Sequence, residues 1–352
     1  MPRIVHDGGG ASCEGLSGEV ASRTFLSGSV RAWQAREVAA SVTAARDVVV
    51  SAAAVAAVRG RVLRGYPTLT TGDAVVTFAG ERPWVGDPAG ELAPFDPLER
   101  VFHGFPIELA VADAWVFPVR HWVELLWANL LALGPFLWSE LVGPGALGVV
   151  RLGWASMRAL STQPEDIGAK LNRSGLGARV HRTATVEGCW LGDGARVGAG
   201  AVVCGAVLGA GAVVEELAMV EGTVLGEGAR VQRLAMAKYS VIEAGASFGG
   251  MMQLGVIGAD TAVKHGATLM DMAFGQGVRV RVGGDLRAAP HGLCGVCVGD
   301  GATVASGVRI APGRAIPPGL ELLADPGQVL RNLDLPEGCR RAEVRDGRLV
   351  AR

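Results

Sequence analysis

Histidine side chains are the first candidates for proton-transfer chemistry in this 352-residue sequence, because imidazole gains and loses a proton near neutral pH. Between residues 176 and 322 the sequence contains His181, His265 and His291. A histidine at the protein surface can remove the proton from a hydroxyl or amine that attacks a carbonyl group. We predict His265 as this base and His291 as the second choice, against the alternative that each is a surface histidine with no special role.

The local sequence around each histidine sets this order. His265 stands in VKHGAT, where the chain is expected to turn a corner and face solvent. His291 stands in the irregular stretch APHGLCG, where a loop could carry it into a cleft between subunits. His181 belongs to the first of the repeats described below and is ranked last.

Basic side chains near these histidines are candidates for binding phosphate. Arg279 and Arg281 alternate with valines in VRVRV, which places both arginines on one face of an extended segment. Together with Lys264 they could contact the phosphates of a coenzyme or nucleotide-sugar. The alternative is that the two arginines form an ordinary solvated face.

Metal and redox chemistry are weakly indicated. A catalytic zinc site needs three protein ligands, and no two histidines in the repeat region are closely spaced, so we predict no metal site. Cys294 and Cys297 form a lone CGVC pair, which is a weak signal without a second pair. We expect these two cysteines to fill small positions in the core. The sequence also lacks the GxxxxGK[ST] phosphate loop.

A repeat of about 17 residues must position these side chains. Similar phrases begin at Leu191, Leu208, Leu225 and Ile242, and within each phrase a large apolar residue recurs six positions later. A period of six fits neither a helix nor a long alternating strand, but it suits short straight segments joined by tight corners. Three such sides make one coil of a triangular parallel β-helix, and about seven to eight coils are expected.

These repeats resemble the hexapeptide-repeat left-handed β-helix acyltransferase superfamily over residues 176 to 322. The resemblance implies the left-handed coil and acyl transfer from acetyl-CoA or another acyl-CoA to a sugar or nucleotide-sugar. It also implies a homotrimer in which the acyl-CoA arm lies in a groove between neighbouring prisms. Two alternative classes remain open: a catalytically silent scaffold or module that binds a sugar or nucleotide-sugar, and a peripheral membrane protein of envelope assembly.

A second resemblance lies just before the repeats. Trp122, Glu124, Leu125 and Asn129 are similar to a segment of two-domain sugar nucleotidyltransferase-like proteins that carry a hexapeptide-repeat carboxyl domain. An active enzyme of that kind would need a glycine-rich loop after its first strand, followed by a basic residue and lysine. Gly8–Gly10 lie in a polar stretch with no clear preceding strand and no nearby lysine. The amino-terminal domain is therefore expected to be shortened and inactive for nucleotidyl transfer.

The remaining chain divides by composition. Alternating helix and buried strand are expected within residues 36–57 and a further strand within 74–78. Pro135 should break the apolar stretch from residue 119 to 142 into two helical pieces. An irregular insertion should separate residues 269 and 298. The predicted domains are an α/β or helical domain at 1–114, a tryptophan-rich helical segment and linker at 115–175, the β-helix at 176–322, and a short helix and tail at 323–352.

The tryptophan-rich segment has three interpretations: a cap on the open end of the β-helix, a segment docked in a membrane interface, or a membrane-spanning helix. Its polar residues and Pro144 disfavour the last. The formal net charge of −1 disfavours nucleic acid as a main partner. The amino-terminal residues lack the pattern of a secretory signal. We therefore expect a cytoplasmic protein, with peripheral attachment to the inner membrane as the alternative.

Overall fold

Three parallel sheets wound into a prism form the carboxyl half of the computed structural model. The structure describes residues 4–7, 13–17, 23–29, 48–51, 55–58, 84–85, 93–94, 115–118, 121–143, 145–161, 163–273, 275, 277–282, 284–289, 292–328, 342–345 and 348–351. The predicted fold class, a mainly β protein built on a left-handed parallel β-helix, is confirmed.

The three sides of the prism are named here by their strands. Face 1 comprises Arg173–Ser174, Trp190–Leu191, Val207–Leu208, Val224–Leu225, Val241–Ile242, Val256–Ile257, Cys297–Val298 and Ala315–Ile316. Face 2 comprises Arg179–Val180, Arg196–Val197, Val213–Val214, Arg230–Val231, Ser247–Phe248, Ala262–Val263, Thr303–Val304 and Glu321–Leu322. Face 3 comprises Thr185–Glu187, Val202–Cys204, Met219–Glu221, Met236–Lys238, Met251–Gln253, Thr268–Leu269 and Arg309–Ile310.

The apolar residues of the hexads fill the inside of the prism. On face 1, Leu191 pairs with Leu208, which pairs with Leu225, so like side chains stack in buried ladders. The corners that join the faces use residues in the left-handed region, such as Gly194 at φ 68° and Gly211 at φ 66°, where a Cβ would be strained. Backbone hydrogen bonds between coils satisfy the short strands, so the repeat explains both the core and the corners.

Helix α1, Trp122–Leu141, lies lengthwise along face 1 and not across the open end of the prism. Its apolar residues pack on the outward valines of that face, which include Val207, Val224 and Val256. Twenty residues at about 1.5 Å each give a helix of about 30 Å, and six strands at about 4.8 Å spacing span about 24 Å. The helix and the covered part of the face therefore match in length.

The prediction that Pro135 breaks this segment is wrong. The helix continues through residue 135 because burial of its apolar side along face 1 outweighs the loss of one backbone hydrogen bond. The chain bends later, after Gly143 at φ 76°, and continues as α2, Gly145–Ala159, and α3, Pro164–Ala169.

No single described helix is both long and apolar enough to cross a bilayer. Leu125–Leu141 with Gly145–Ala159 meets that test by length and composition as a pair bent by 93°.

The amino-terminal region contributes short strands. Ile4–Asp7 pairs in parallel with Val48–Ser51, and Val55–Val58 pairs antiparallel with Trp115–Pro118. Of the helix and strand expected within 36–57, the strand is thus confirmed, whereas residues 36–47 and 74–78 lie outside the described residues. The expectation of no strand before Gly8–Gly10 is wrong, since Ile4–Asp7 leads directly into these glycines. Two further antiparallel pairs join Thr24–Phe25 with Gly28–Ser29 and Trp84–Val85 with Ala93–Pro94.

The insertion between face 3 and face 1 is an antiparallel hairpin of Arg279–Val282 and Asp285–Ala288. Its Val278, Val280 and Ala289 are buried in the same cluster as α1. Beyond the prism, the described residues form a 3-10 turn, Pro326–Gln328, and a hairpin of Ala342–Arg345 and Arg348–Ala351. Most of the segment that carries the predicted carboxyl-terminal helix, residues 329–341, lies outside the described residues.

Candidate functional site

The predicted site residues lie along two edges of face 3. Lys264 and His265 are exposed in the turn that joins face 2 to face 3. This turn is called corner 2–3, and its successive coils are residues 181–183, 198–200, 215–217, 232–234, 249–250, 264–266 and 305–307. Arg279 and Arg281 are exposed on the inserted hairpin, which leaves the opposite edge of face 3. His291 lies outside the described residues.

Within this chain the two groups of predicted residues do not meet. The guanidinium of Arg281 donates a hydrogen bond to the carbonyl of Gly284 at 2.8 Å, inside its own hairpin. The backbone carbonyl of Arg281 lies 3.0 Å from Nε2 of the buried His121. The hairpin is thus fixed against α1, and no contact in the described part of the chain links either arginine to Lys264 or His265.

Corner 2–3 is shorter by two residues in the coil before His265. Leu208 pairs with Leu225, 17 residues later, whereas Ile242 pairs with Ile257, 15 residues later. Gly249 and Gly250 make this short turn, and both are buried. Corner 2–3 therefore has a recess between the coil of Arg233 and the coil of His265.

The floor of this recess leaves no space for a side chain at Gly249. A Cβ there would lie 2.6 Å from Oε1 of Gln232 and 3.1 Å from the backbone nitrogen of His265. The Gln232 amide donates a 2.7 Å hydrogen bond to Ser247 Oγ, which holds it in place. Gln232 and Ser247 thus form the polar floor of the recess, and His265 forms its upper rim.

Two backbone donors of corner 2–3 are unpaired in the coils that follow the short turn. In the regular coils, the third corner residue donates to the coil below it, as Leu217 does to Ala199 at 3.0 Å and Leu234 to Glu216 at 3.3 Å. The equivalent N–H of Gly266 has no acceptor among the described residues, and neither has that of Gly307 one coil later. Both glycines are exposed, so these N–H groups are open to a bound molecule.

Charges near the recess are unevenly paired. Arg233 donates hydrogen bonds to Glu216 Oε2 at 3.2 and 3.3 Å, so its charge is already compensated. Two hydrogen bonds lower the pKa of the Glu216 carboxyl: the one from its own backbone N–H has the larger effect, and the one from Arg233 has the smaller effect. Lys264 makes no ion pair in the part of the chain that the structure describes. It is therefore the cation available beside His265.

Two columns of side chains project outward from face 3, one of them apolar and the other with Glu221, Lys238 and Gln253. Met219, Met236 and Met251 stack outward in successive coils, and Met251 is 50% exposed. Leu217 and Leu234 at the adjoining corner are also exposed and adopt φ values of 61° and 62°. The left-handed conformation costs about 1–2 kcal/mol of free energy per leucine residue. A partner that packs on Leu217 and Leu234 would offset this cost.

Face 1 is closed by several segments. The amino-terminal segment, residues 13–17 and 23–29, is held by a two-pronged ion pair in which Arg23 contacts Asp300 at 2.6 and 2.7 Å. Ser17 donates to the same carboxylate through its backbone and its hydroxyl, each at 2.7 Å. The backbone N–H of Thr24 donates to Glu243 at 2.7 Å. Burial raises the pKa of the Glu243 carboxyl, and the nearby charge of Arg23 acts in the opposite direction.

Trp122 and Asn129, which suggested a nucleotidyltransferase resemblance, belong to the cover of face 1, meaning α1 and the amino-terminal segment. Trp122 is fully buried in the cluster between α1 and face 1. Asn129 accepts a hydrogen bond from the N–H of Leu26 at 2.8 Å and donates to the carbonyls of Thr24 and Leu125 at 3.1 and 3.0 Å. The motif therefore fastens the amino-terminal segment to α1, a structural role that needs no nucleotide.

The cysteine pair lies beneath α1. Cys294 and Cys297 are both buried, which raises the pKa of Cys294 to about 12 and that of Cys297 well above its usual range. Their thiols are therefore protonated at neutral pH and poorly reactive. Among the described residues, no group of three His, Cys, Asp or Glu side chains could hold a metal ion.

Comparisons with known proteins give distant structural similarities. No family model matches the chain, and no curated protein sequence matches it. The UDP-N-acetylglucosamine acyltransferase of Francisella novicida is 12% identical with a TM-score of 0.18, and the match covers 41% of this chain and 56% of that enzyme. A candidate acetyltransferase from Bacillus cereus is 13% identical with a TM-score of 0.15, over 41% of this chain and 78% of that protein.

The match spans little more than half the length of the Francisella enzyme. At these scores neither similarity carries an argument about activity. The parallel β-helix is established independently by the strand pairing within the chain. The resemblance to sugar nucleotidyltransferase-like proteins finds no support in these comparisons.

Proposed function

We propose that the protein transfers an acyl group, with acetyl as the first candidate, from an acyl-CoA to a hydroxyl or amine of a sugar or nucleotide-sugar. His265 removes a proton from the acceptor as its oxygen or nitrogen attacks the thioester carbonyl. The carbon–sulfur bond then breaks, and the CoA thiolate leaves and takes up the proton. The products are the acylated sugar and free CoA.

The short corner beneath His265 is the observation that carries this proposal. Acyl transfer needs a base and hydrogen-bond donors for the negative charge that develops on the carbonyl oxygen. The N–H groups of Gly266 and Gly307, which have no acceptor among the described residues, lie near His265 on adjacent coils of corner 2–3. Lys264 supplies a free positive charge for a phosphate of the donor or acceptor.

A homotrimer built through face 3 would complete this site. When face 3 of each prism turns toward a threefold axis, corner 2–3 of one subunit meets the opposite edge of face 3 in the next. That edge carries the inserted hairpin with Arg279 and Arg281. The exposed methionines of face 3 and the exposed Leu217 and Leu234 support this association, because the contact would bury them.

A release assay for free CoA thiol, run with acetyl-CoA and a panel of sugars and nucleotide-sugars, tests the reaction. We expect His265→Gln to lower kcat/KM about 100-fold or more, since loss of a general base has effects of that order. His181→Gln is the matched control, because His181 is an exposed histidine on the same corner in the first coil. It should change kcat/KM less than about twofold. Wild-type turnover by His265→Gln would remove His265 from the mechanism.

Mixed subunits test the shared site. His265→Gln and the double variant Arg279→Ala/Arg281→Ala should each be impaired when expressed alone. Co-expressed with different tags and purified as mixed oligomers, they should regain activity, because some interfaces then combine an intact His265 with an intact hairpin. Activity no higher than the average of the two variants would contradict a site between subunits.

A catalytically silent, sugar-binding scaffold is the second candidate. The supporting observation is that no described carboxylate or carbonyl holds the imidazole of His265 in one orientation. Calorimetry with acetyl-CoA and with nucleotide-sugars separates the two functions. Heat from a nucleotide-sugar alone, with none from millimolar acetyl-CoA, would favour the scaffold and count against the transferase.

A further inference from the structure

Helix α2 turns its more apolar side to solvent. Its buried residues are the small Gly148 and Ala155. The large exposed side chains of this helix and the turn after it are Leu147, Val149, Val150, Trp154, Met157 and Leu160. Leu147, Val150, Trp154 and Met157 are spaced three and four residues apart, so they form one stripe along the helix. An exposed apolar surface of this kind marks an interaction site.

The stripe belongs to a larger apolar surface at the first coil of the prism. Helix α2 contacts α3, and α3 contacts strand Thr185–Glu187 in the first coil. Trp138 near the end of α1 is 51% exposed, and Leu176 in the first coil is 84% exposed. Trp138 and Trp154 thus place two exposed indole rings at the same end of the molecule, and indole prefers the interface between bilayer and water.

Helix α2 carries a positive charge, although the whole chain has a formal net charge of −1 and the neighbouring α3 contains Glu165 and Asp166. The charged residues of α2 are Arg151 and Arg158, with no acidic residue among them. The neighbouring first coil exposes Arg179 and Arg182. Each such cation near an anionic bilayer contributes about 1 kcal/mol to binding.

We propose that the α2 surface docks the protein on an anionic membrane. The α2 surface is defined as the stripe of Leu147, Val150, Trp154 and Met157 with Arg158. The helix, about 22 Å long, lies flat in the headgroup layer with the stripe toward the acyl chains and the arginines toward lipid phosphates. The prism then stands with its first coil at the membrane.

A second copy of the chain fits this surface less well. In a two-fold symmetric contact between α2 helices the same residues meet each other, so Arg158 and Arg151 would approach the same arginines of the partner. Helix α2 has no carboxylate to neutralise them. Lipid phosphates satisfy both the charge and the apolar stripe.

Vesicle flotation of the full chain tests the proposal. We expect binding to vesicles of phosphatidylcholine and phosphatidylglycerol at a ratio of about 3:1, weaker binding to phosphatidylcholine alone, and weaker binding at high salt because exposed charges are then screened. Trp154→Ser/Met157→Ser should weaken binding about tenfold. Arg158→Gln/Arg182→Gln should weaken it on anionic vesicles alone.

The control variant is Leu286→Ser/Leu323→Ser, which removes two exposed leucines that lie outside α2 and the first coil. All substituted residues are exposed, so far-ultraviolet circular dichroism should show unchanged folding. The proposal is overturned by absence of flotation with anionic vesicles, or by equal losses in the α2 and control variants. Self-association that Trp154→Ser/Met157→Ser abolishes, without any vesicle binding, would assign the surface to a second copy and also overturn it.

Discussion

Face 1 and face 3 share one coil geometry but differ in what lies outside them. On the five strands of face 1 from Val207–Leu208 to Cys297–Val298, the outward residues, among them Val224 and Val256, are fully buried under α1, the amino-terminal segment and the inserted hairpin. On face 3 the outward Met219 and Met251 remain exposed. The inner ladder therefore builds the prism in the same way on every side, and the outward residues decide which side is closed within the chain.

The largest expected effect comes from placing a charge on each face in the same coil. Val256→Asp should lower the free energy of unfolding by about 4 kcal/mol or more, because it buries an unpaired carboxylate between face 1 and α1. Met251→Asp on face 3 should lower it by less than about 1 kcal/mol, since that site is exposed. Thermal unfolding followed by circular dichroism measures both. Equal destabilisation would contradict the assignment of face 1 as the closed side.

Removal of the Asn129 side-chain amide, which joins the amino-terminal segment to α1, should have the next largest effect on the free energy of unfolding. Asn129→Ala leaves the N–H of Leu26 and the carbonyl of Thr24 without this partner, and should cost about 3 kcal/mol. Limited proteolysis should then cut the amino-terminal segment faster. Tyr239→Phe, which removes an exposed hydrogen bond to Glu221, serves as control and should change stability by less than about 1 kcal/mol. Unchanged proteolysis of Asn129→Ala would show that the cover is held by other contacts.

The contact between the amino-terminal segment and the prism should become less stable as pH rises. Because the folded-state pKa of Glu243 is raised above 4.5, its favourable contribution is present in acid and is lost as pH rises through that folded-state pKa. Glu243→Gln keeps an acceptor for Thr24 but cannot ionise. It should unfold at higher temperature than the wild type at pH 8, with a smaller difference at pH 5. A variant that is less stable at pH 8 would mean that the ionised carboxylate stabilises this contact.

The smallest expected effect concerns the seam between α1 and the hairpin. His121 Nδ1 accepts the N–H of Val123, which caps α1, and burial lowers the pKa of His121 below 6.5. Stability from this group is present above pH 6.5 and declines as pH falls below it. Since asparagine also caps helices, His121→Asn should flatten this decline by about 1 kcal/mol between pH 7 and pH 5. Unfolding midpoints in urea measure the slope, and an unchanged slope would assign the acid sensitivity to other groups.

The inner ladder could be predicted from the sequence because each coil obeys a local rule. Leu191, Leu208 and Leu225 recur at one interval, and that interval alone places them inside. A signal for the closed face was also present. Strands of face 1 contain two adjacent apolar residues, as in Val224–Leu225, whereas strands of face 2 such as Arg230–Val231 contain one apolar residue. A strand whose side chains are apolar on both sides is buried on both sides.

Other features needed the structure. The short corner is visible in the sequence as 15 residues between Ile242 and Ile257, but its unpaired N–H groups follow from stacking and not from spacing. Helix α1 continues through Pro135 because packing along face 1 outweighs the local tendency of proline to end a helix. The ion pair of Arg23 with Asp300 joins residues 277 positions apart, and no periodic pattern links them.

The hydrogen bond between Ser17 and Asp300 has a consequence for the order in which the protein is made, because it spans 283 positions. At about 5–20 residues per second, a ribosome takes roughly 15 to 60 s to add that many residues. During this interval the early coils can stack on one another, while the valines that the amino-terminal segment will help to shield still face water. The nascent chain therefore exposes an apolar surface until residue 300 has been added, and any factor that protects this surface has to act before then.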